Sequence, residues 1–315
     1  MSLESYGELE RLLHNLDGSV TLKDQFRALF DLRNAGGDLA VDIIAKGFST
    51  PSVLLKHELA YVLGQMKNTR ALEKLILVLE DEQEDPMVRH EAGEALGAIG
   101  SVEAIHVLEN YRHHSLSMIS ETCELALERI SRLSDRESID YLNLVNPPNC
   151  GYYSVDPAPP ETLTTNVTVL EQRLLDHSHS LFDRYKAMFG LRNISSTEAV
   201  MALTKGLKDP SPLFRHEIAY VLGQVQDPAS VDALEEALSS DGMEMVRHEC
   251  AEALGAIATE KATRILEQYI DDENTVVKES CLIALDICEQ ENADHSHDPP
   301  TIKQQKEGPP CPSTF

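Results

Sequence analysis

The dipeptide His-Glu occurs four times in this chain, and the four copies stand in register. His57-Glu58 is followed 33 residues later by His90-Glu91, and His216-Glu217 is followed 32 residues later by His248-Glu249. Leu-Gly stands six and seven positions after each histidine, at Leu63-Gly64, Leu96-Gly97, Leu222-Gly223 and Leu254-Gly255. The two pairs are themselves copies. HELAYVLGQM at 57–66 returns as HEIAYVLGQV at 216–225, and VRHEAGEALGAIG at 88–100 returns as VRHECAEALGAIA at 246–258. A period near 32 residues with Leu and Ala at helical spacing is met by a solenoid of helical hairpins, in which no repeat buries its apolar face alone.

Punctuation agrees. Asp85-Pro86, Ser211-Pro212 and Asp227-Pro228 each put a capping residue before a proline, as at a helix start. Two outer units in each half fit the same frame, Phe26–Leu32 and Glu121–Leu127 in the first, Tyr185–Leu191 and Glu279–Leu285 in the second. The expected architecture is all-α, with two duplicated halves of about four hairpins each, at 1–142 and 169–288. Between them the Pro- and Gly-containing string NPPNCGYYSVDPAPPETLTT marks 143–168 as a linker. The polar, Pro-rich stretch 289–315 reads as a disordered tail.

Composition excludes several classes. With 27 basic and 53 acidic residues the formal charge is −26, which argues against a nucleic-acid partner and for a cationic one. The longest apolar run, Leu75–Leu79, is far too short to span a bilayer, and MSLESYGELERLL has no signal-peptide pattern. Cys123, Cys150, Cys250, Cys281, Cys288 and Cys311 form no C-x-x-C pair and read as reduced thiols of a cytoplasmic protein. There is no P-loop, G-x-G-x-x-G, G-x-S-x-G or H-E-x-x-H, so nucleotide enzymes and hydrolases lose their usual anchors.

The outer repeats show that packing alone does not require His-Glu. At the equivalent positions they hold Phe26-Arg27, Glu121-Thr122, Tyr185-Lys186 and Glu279-Ser280. Equivalent positions of successive repeats line one face, and packed helices sit ~8–10 Å apart, so imidazoles one repeat apart can converge. If the halves face each other, four imidazoles and four carboxylates surround one cleft. Such a set suits iron or manganese, and the absence of Cys argues against structural zinc. It is also the ligand chemistry of dinuclear carboxylate proteins. The basic residue before each dyad (Lys56, Arg89, Arg215, Arg247) either orients a buried carboxylate or is a surface charge. Met87 and Met245, three residues before their histidines, either line an apolar wall for a substrate or pack in the core. His113, His114, His177 and His179 read as solvated polar residues, and His295 and His297, in the expected tail, as no more than an adventitious metal-binding pair.

At these residues the chain resembles the deoxyhypusine hydroxylase family, iron-dependent monooxygenases built from HEAT-type repeats. The resemblance runs to about Ile287 and is carried by KHELAYVLGQ, VRHEAGEALGAIG, RHEIAYVLGQ and VRHECAEALGAIA. It implies hydroxylation of the deoxyhypusine side chain on translation initiation factor five-A, by a non-haem centre of two Fe ions using O2 and an external reductant. It further implies that His57, His90, His216 and His248 are metal ligands, with Glu91 and Glu249 as carboxylate ligands. Glu58 and Glu217 are either further ligands or anionic contacts for the substrate's amines. A monomer is expected, because the duplication already supplies a two-fold site. The rival readings are a non-enzymatic metal-binding HEAT-repeat scaffold, a bilin-attaching lyase of similar repeats, and a dinuclear metallohydrolase; an iron pair that cycles with oxygen separates the oxygenase from all three.

Overall fold

The computed structural model describes residues 2–134, 152 and 154–295. Among them there is no strand. Eight helices come first: α1 (Leu3–His14), α2 (Leu22–Ala35), α3 (Gly37–Lys46), α4 (Val53–Met66), α5 (Leu72–Glu80), α6 (Pro86–Ile99), α7 (Ile105–Tyr111) and α8 (Ser117–Ser134). Eight more follow: α9 (Val167–Leu175), α10 (Leu181–Ile194), α11 (Thr197–Thr204), α12 (Pro212–Val225), α13 (Val231–Ser240), α14 (Glu244–Ile257), α15 (Glu260–Leu266) and α16 (Thr275–His295). Taken in twos they make four hairpins per half, and the His-Glu dyads lie on the second helix of the two inner hairpins, α4 and α6, then α12 and α14.

The expected start signals Asp85, Ser211 and Asp227 act as caps, and Ser52 does the same for the equivalent helix α4. Ser52 Oγ accepts from the Leu55 N–H at 3.0 Å, Asp85 Oδ1 from Met87 at 2.9 Å and Ser211 Oγ from Phe214 at 3.1 Å. Each satisfies one of the first-turn donors that a helix leaves open. Asp227 caps the short 3-10 turn that leads into α13. The dyad helices also end alike, on a left-handed residue: Lys67, Gly100, Gln226 and Ala258, with φ of 51°, 75°, 56° and 52°.

The Leu-Gly pairs explain how the dyad helices pack. Leu63, Leu96, Leu222 and Leu254 are fully buried. The glycines let backbone meet backbone: a Cβ added to Gly64 would lie 2.8 Å from the Ala95 Cα, one on Gly97 2.9 Å from the Ala126 Cα, and one on Gly255 2.8 Å from the Ala284 Cα. So α4 lies against α6 and α6 against α8 in the first half, and α14 against α16 in the second.

The chain divides into two compact units, 1–150 with 154–159 and 180–185, and 151–153 with 160–179 and 186–315. This boundary is more interleaved than a simple cut at 169. In the described part of the expected linker, residues 154–166 carry no helix, yet Val155 to Glu161 are buried. Prolines exclude a helix but not burial, since Pro157, Pro159 and Pro160 bring no N–H to satisfy. Two of the remaining donors are tied down: Val155 N–H donates to Gln65 Oε1 at 2.9 Å and Glu161 N–H to the Lys186 carbonyl at 2.8 Å. At the other end α16 continues to His295, seven residues beyond the expected tail boundary at 288. Glu289, Gln290, Glu291 and Ala293 are good helix formers, and their polarity alone does not stop a helix. The rest of the linker, 143–151 and 153 with Cys150, and the tail from 296 with His297 and Cys311, lie outside the described residues. No helix among the described residues is long and apolar enough to cross a membrane.

Two consequences can be measured by urea unfolding. Alanine is a better helix former than glycine by ~1 kcal/mol, so Gly7→Ala, where an added Cβ meets nothing within 4 Å, raises stability. Gly97→Ala does the opposite, because backbone must move apart, and costs about 1–3 kcal/mol. Ala258 and Gly100 are equivalent left-handed caps, and the left-handed region penalises a Cβ by ~1–2 kcal/mol. Ala258→Gly is therefore expected to stabilise by about 0.5–1 kcal/mol once the glycine's greater unfolded-state entropy is set against that relief.

Candidate metal centre

The dyads interlock in the same way in both units. In the first, α4 carries His57-Glu58 and α6 carries His90-Glu91, all four side chains buried. The His57 and His90 rings lie 5.6 Å apart between centroids, tilted by 45°. The carboxylate of the second dyad reaches back to the histidine of the first, Glu91 Oε2 to His57 Nε2, at 3.2 Å. In the second unit α12 carries His216-Glu217 and α14 carries His248-Glu249, again all buried. The His216 and His248 rings are 5.3 Å apart, tilted by 38°, and Glu249 Oε2 lies 3.3 Å from His216 Nε2 and 3.9 Å from His248 Nε2.

The register follows from helix geometry. Histidines one repeat apart stand on facing turns of packed helices, and a glutamate one residue on is rotated by 100°, toward the preceding helix. Donor atoms of His57, His90 and Glu91 fall within 4.8 Å of one another, as do those of His248, Glu249 and Glu252. Glu58 and Glu217 belong to neither three-donor group. Burial pushes His248 well below the usual imidazole range, and His216 beside it adds to the shift, so His248 is neutral near pH 7. A neutral ring keeps a lone pair for a metal. Imidazole and carboxylate donors, with no cysteine in either three-donor group, fit iron or manganese.

Glu252 is a site residue that the dyad search passes over. It is 3% exposed, and its Oε1 lies 3.3 Å from His248 Nδ1. The signal was present: HECAE puts a glutamate four residues after His248, on the same helix face. The equivalent position of the other half is Glu94, which is half-buried.

The basic residues take neither of the roles considered for them. Their bonds go to groups other than the dyads: Arg89 and Arg247 reach the last turn of their own hairpin's first helix, while Lys56 and Arg215 reach the loop of the next hairpin. Arg89 Nε donates to the Leu79 carbonyl at 3.0 Å and Arg247 Nε to the Leu238 carbonyl at 2.7 Å. Both acceptors lie in the last turn of a helix, where carbonyls lack intrahelical partners. Arg215 grips Asp241 with two bonds of 2.7 and 2.9 Å, and Lys56 pairs with Glu84 at 2.7 Å. A residue one position before the histidine is rotated by 100° the other way, which carries it off the dyad face.

Met87 and Met245 are each 1% exposed, on the dyad helices α6 and α14. His177 faces Asp209 at 3.6 Å and His179 faces Asp176 at 3.9 Å, both rings partly exposed. His113 is exposed, and His114 Nδ1 accepts from the Leu116 N–H at 3.2 Å. Cys123, Cys250, Cys281 and Cys288 are free, buried thiols. Burial pushes Cys123 and Cys281 up to about 12, and Cys250 well above the ordinary thiol range with Glu249 adding to the effect.

Residues 41–142, 167–243 and 222–286 match the family of HEAT repeats. The chain is 52% identical over 273 residues to the deoxyhypusine hydroxylase of Drosophila melanogaster, covering 86% of this chain and 88% of that one. It is 48% identical over 277 residues to the Homo sapiens enzyme, covering 88% and 89%. The solved structure of human deoxyhypusine hydroxylase in complex with glycerol superposes with a TM-score of 0.85 at 46% identity, over 91% of this chain and 96% of that one. On this identity and coverage, the chain belongs to the deoxyhypusine hydroxylase family.

Proposed function

We propose that the protein hydroxylates the deoxyhypusine side chain of translation initiation factor five-A, completing hypusine, at a non-haem centre of two Fe ions that uses O2 and an external reductant. The observation that carries this reading is the interlocked dyad present in each unit, a buried imidazole 3.2–3.3 Å from the carboxylate of the next repeat. Family membership supports the substrate. The iron ions would be held by His57, His90 and Glu91 in one unit and by His216, His248 and Glu249 in the other. Bound iron supplies the oxidising power toward an unactivated C–H bond that acid–base side chains lack.

The remaining work falls to the chain. Deoxyhypusine is a long aliphatic side chain with two amines, cationic at neutral pH. A protein of charge −26 draws such a group in at long range. Glu58 and Glu217, lying outside the three-donor groups, are assigned to the amines as charge-assisted acceptors. Their burial keeps water from the reacting carbon and strengthens the attraction. The free thiols accord with a reducing, cytoplasmic location, and a monomer suffices because both dyad sets are on one chain.

Elemental analysis of the purified protein is expected to find about two irons per chain, as a dinuclear site requires. Zinc alone after iron supplementation would overturn the proposal. His90→Ala and His248→Ala are each expected to abolish iron loading and hydroxylation while leaving helicity intact; full activity in either would refute the assignment. Glu58→Ala and Glu217→Ala separate the two roles left open for these residues. As amine contacts they keep both irons and raise KM roughly 10- to 100-fold, the value of a lost charged hydrogen bond. Loss of iron would make them ligands instead.

A further inference from the structure

We infer that Glu252 is a positioning residue that fixes the tautomer of His248 and thereby commits the Nε2 lone pair to the metal. The inference rests on the metal reading above and is confined to the second unit. His248 is fully buried on α14, and its two ring nitrogens face different carboxylates. Nδ1 lies 3.3 Å from Glu252 Oε1, within the same helix, while Nε2 lies 3.9 Å from Glu249 Oε2, on the side of His216.

A carboxylate oxygen accepts a hydrogen bond and does not donate one. The ring proton therefore sits on Nδ1, and Nε2 carries the lone pair. Without such a partner a neutral imidazole chooses freely between two tautomers, and the other one would present an N–H where a metal needs a donor electron pair. Glu252 also holds the ring's rotation, because a contact four residues along a helix is set by the helix itself. The side chain is 3% exposed, so water does not compete for the bond. A carboxylate behind a metal-binding imidazole raises the ligand's basicity, and its loss costs metal affinity 10–100-fold in comparable sites.

The placement argues against Glu252 as a ligand in its own right. Glu252 Oε1 lies 3.3 Å from Nδ1, and an oxygen that accepts the ring N–H is engaged with the ring and not with an ion on Nε2. The contacts then form a relay of Glu252, His248 and metal, with Glu249 Oε2 lying between His248 Nε2 and His216 Nε2.

The test starts on the full-length, metal-free protein with 15N-labelled histidine. The His248 ring, assigned by its disappearance in His248→Asn, is expected to show protonated Nδ1 and unprotonated Nε2. In Glu252→Ala the signal shifts toward the Nε2–H form, and in Glu252→Gln, whose amide oxygen still accepts, the Nδ1–H form is retained. Ferrous ion titrated into the same three proteins is expected to bind about 10- to 100-fold more weakly to Glu252→Ala and nearly normally to Glu252→Gln. An Nε2–H ring in the unsubstituted protein, or unchanged iron affinity in Glu252→Ala, overturns the inference. Failure of the metal reading shows separately, as absence of iron binding by the unsubstituted chain. The tautomer is read without metal, so it decides the role of Glu252 in either case, and it does so even where Glu252→Ala does not fold.

Discussion

The contact on which the rest depends is the one between a glycine and an alanine backbone, Gly64 against Ala95. It lets α4 and α6 approach to backbone contact, which brings two histidine rings within 5.6 Å and a glutamate of one helix within reach of a histidine on the other. Larger side chains at these crossings would push the helices toward the wide end of the usual ~8–10 Å range and draw the dyads apart. The same device, Gly97 against Ala126 and Gly255 against Ala284, continues the row into the hairpins that have no dyad. Close packing is thus a property of the repeat, and the chemistry is placed on a spacing the scaffold already enforces.

Burial then sets the electrostatics. Eight dyad side chains, four of them carboxylates, sit at no more than 5% exposure. Isolated charges at such positions are expensive, so they persist where a partner or metal compensates them. Pairing Glu91 and Glu249 with the imidazole of the preceding repeat is a compensation the protein can make by itself, and it gathers the donors a cation would take up. The arginines serve the frame instead: by closing helix ends at Leu79 and Leu238 they stiffen the hairpins while leaving the dyad face free of positive charge.

Much of this was legible in the sequence because duplication writes the same information four times. The helical hairpins, their caps and the register of the dyads follow from period and punctuation alone. What escaped follows from direction and not from spacing. Adjacency to a histidine suggested that Arg89 and Arg247 serve the site, but one residue along a helix is a 100° rotation and carries them elsewhere. Glu252 lies four residues off and returns to the same face, a relation hidden by attention to the dipeptide. The helix runs on to His295 through polar residues, and the helix-free segment Val155–Glu161 is covered, because polarity and proline report on local conformation and not on whether a segment is helical or buried by its neighbours.

The thiols carry one more implication. Cys250 adjoins Glu249 and stands two residues from His248, so an enzyme of the proposed kind would generate oxidising equivalents beside a sulfur atom. Sulfur is attacked as thiolate, and its vulnerability tracks ionisation and access. Burial and the neighbouring carboxylates hold Cys250 in its protonated form and away from solvent. Burial first, and then the acidity that gathers a cation at the dyads, work as corrosion protection: they keep a soft, oxidisable atom two residues from a dyad histidine from becoming either a competing ligand or a casualty of the reaction.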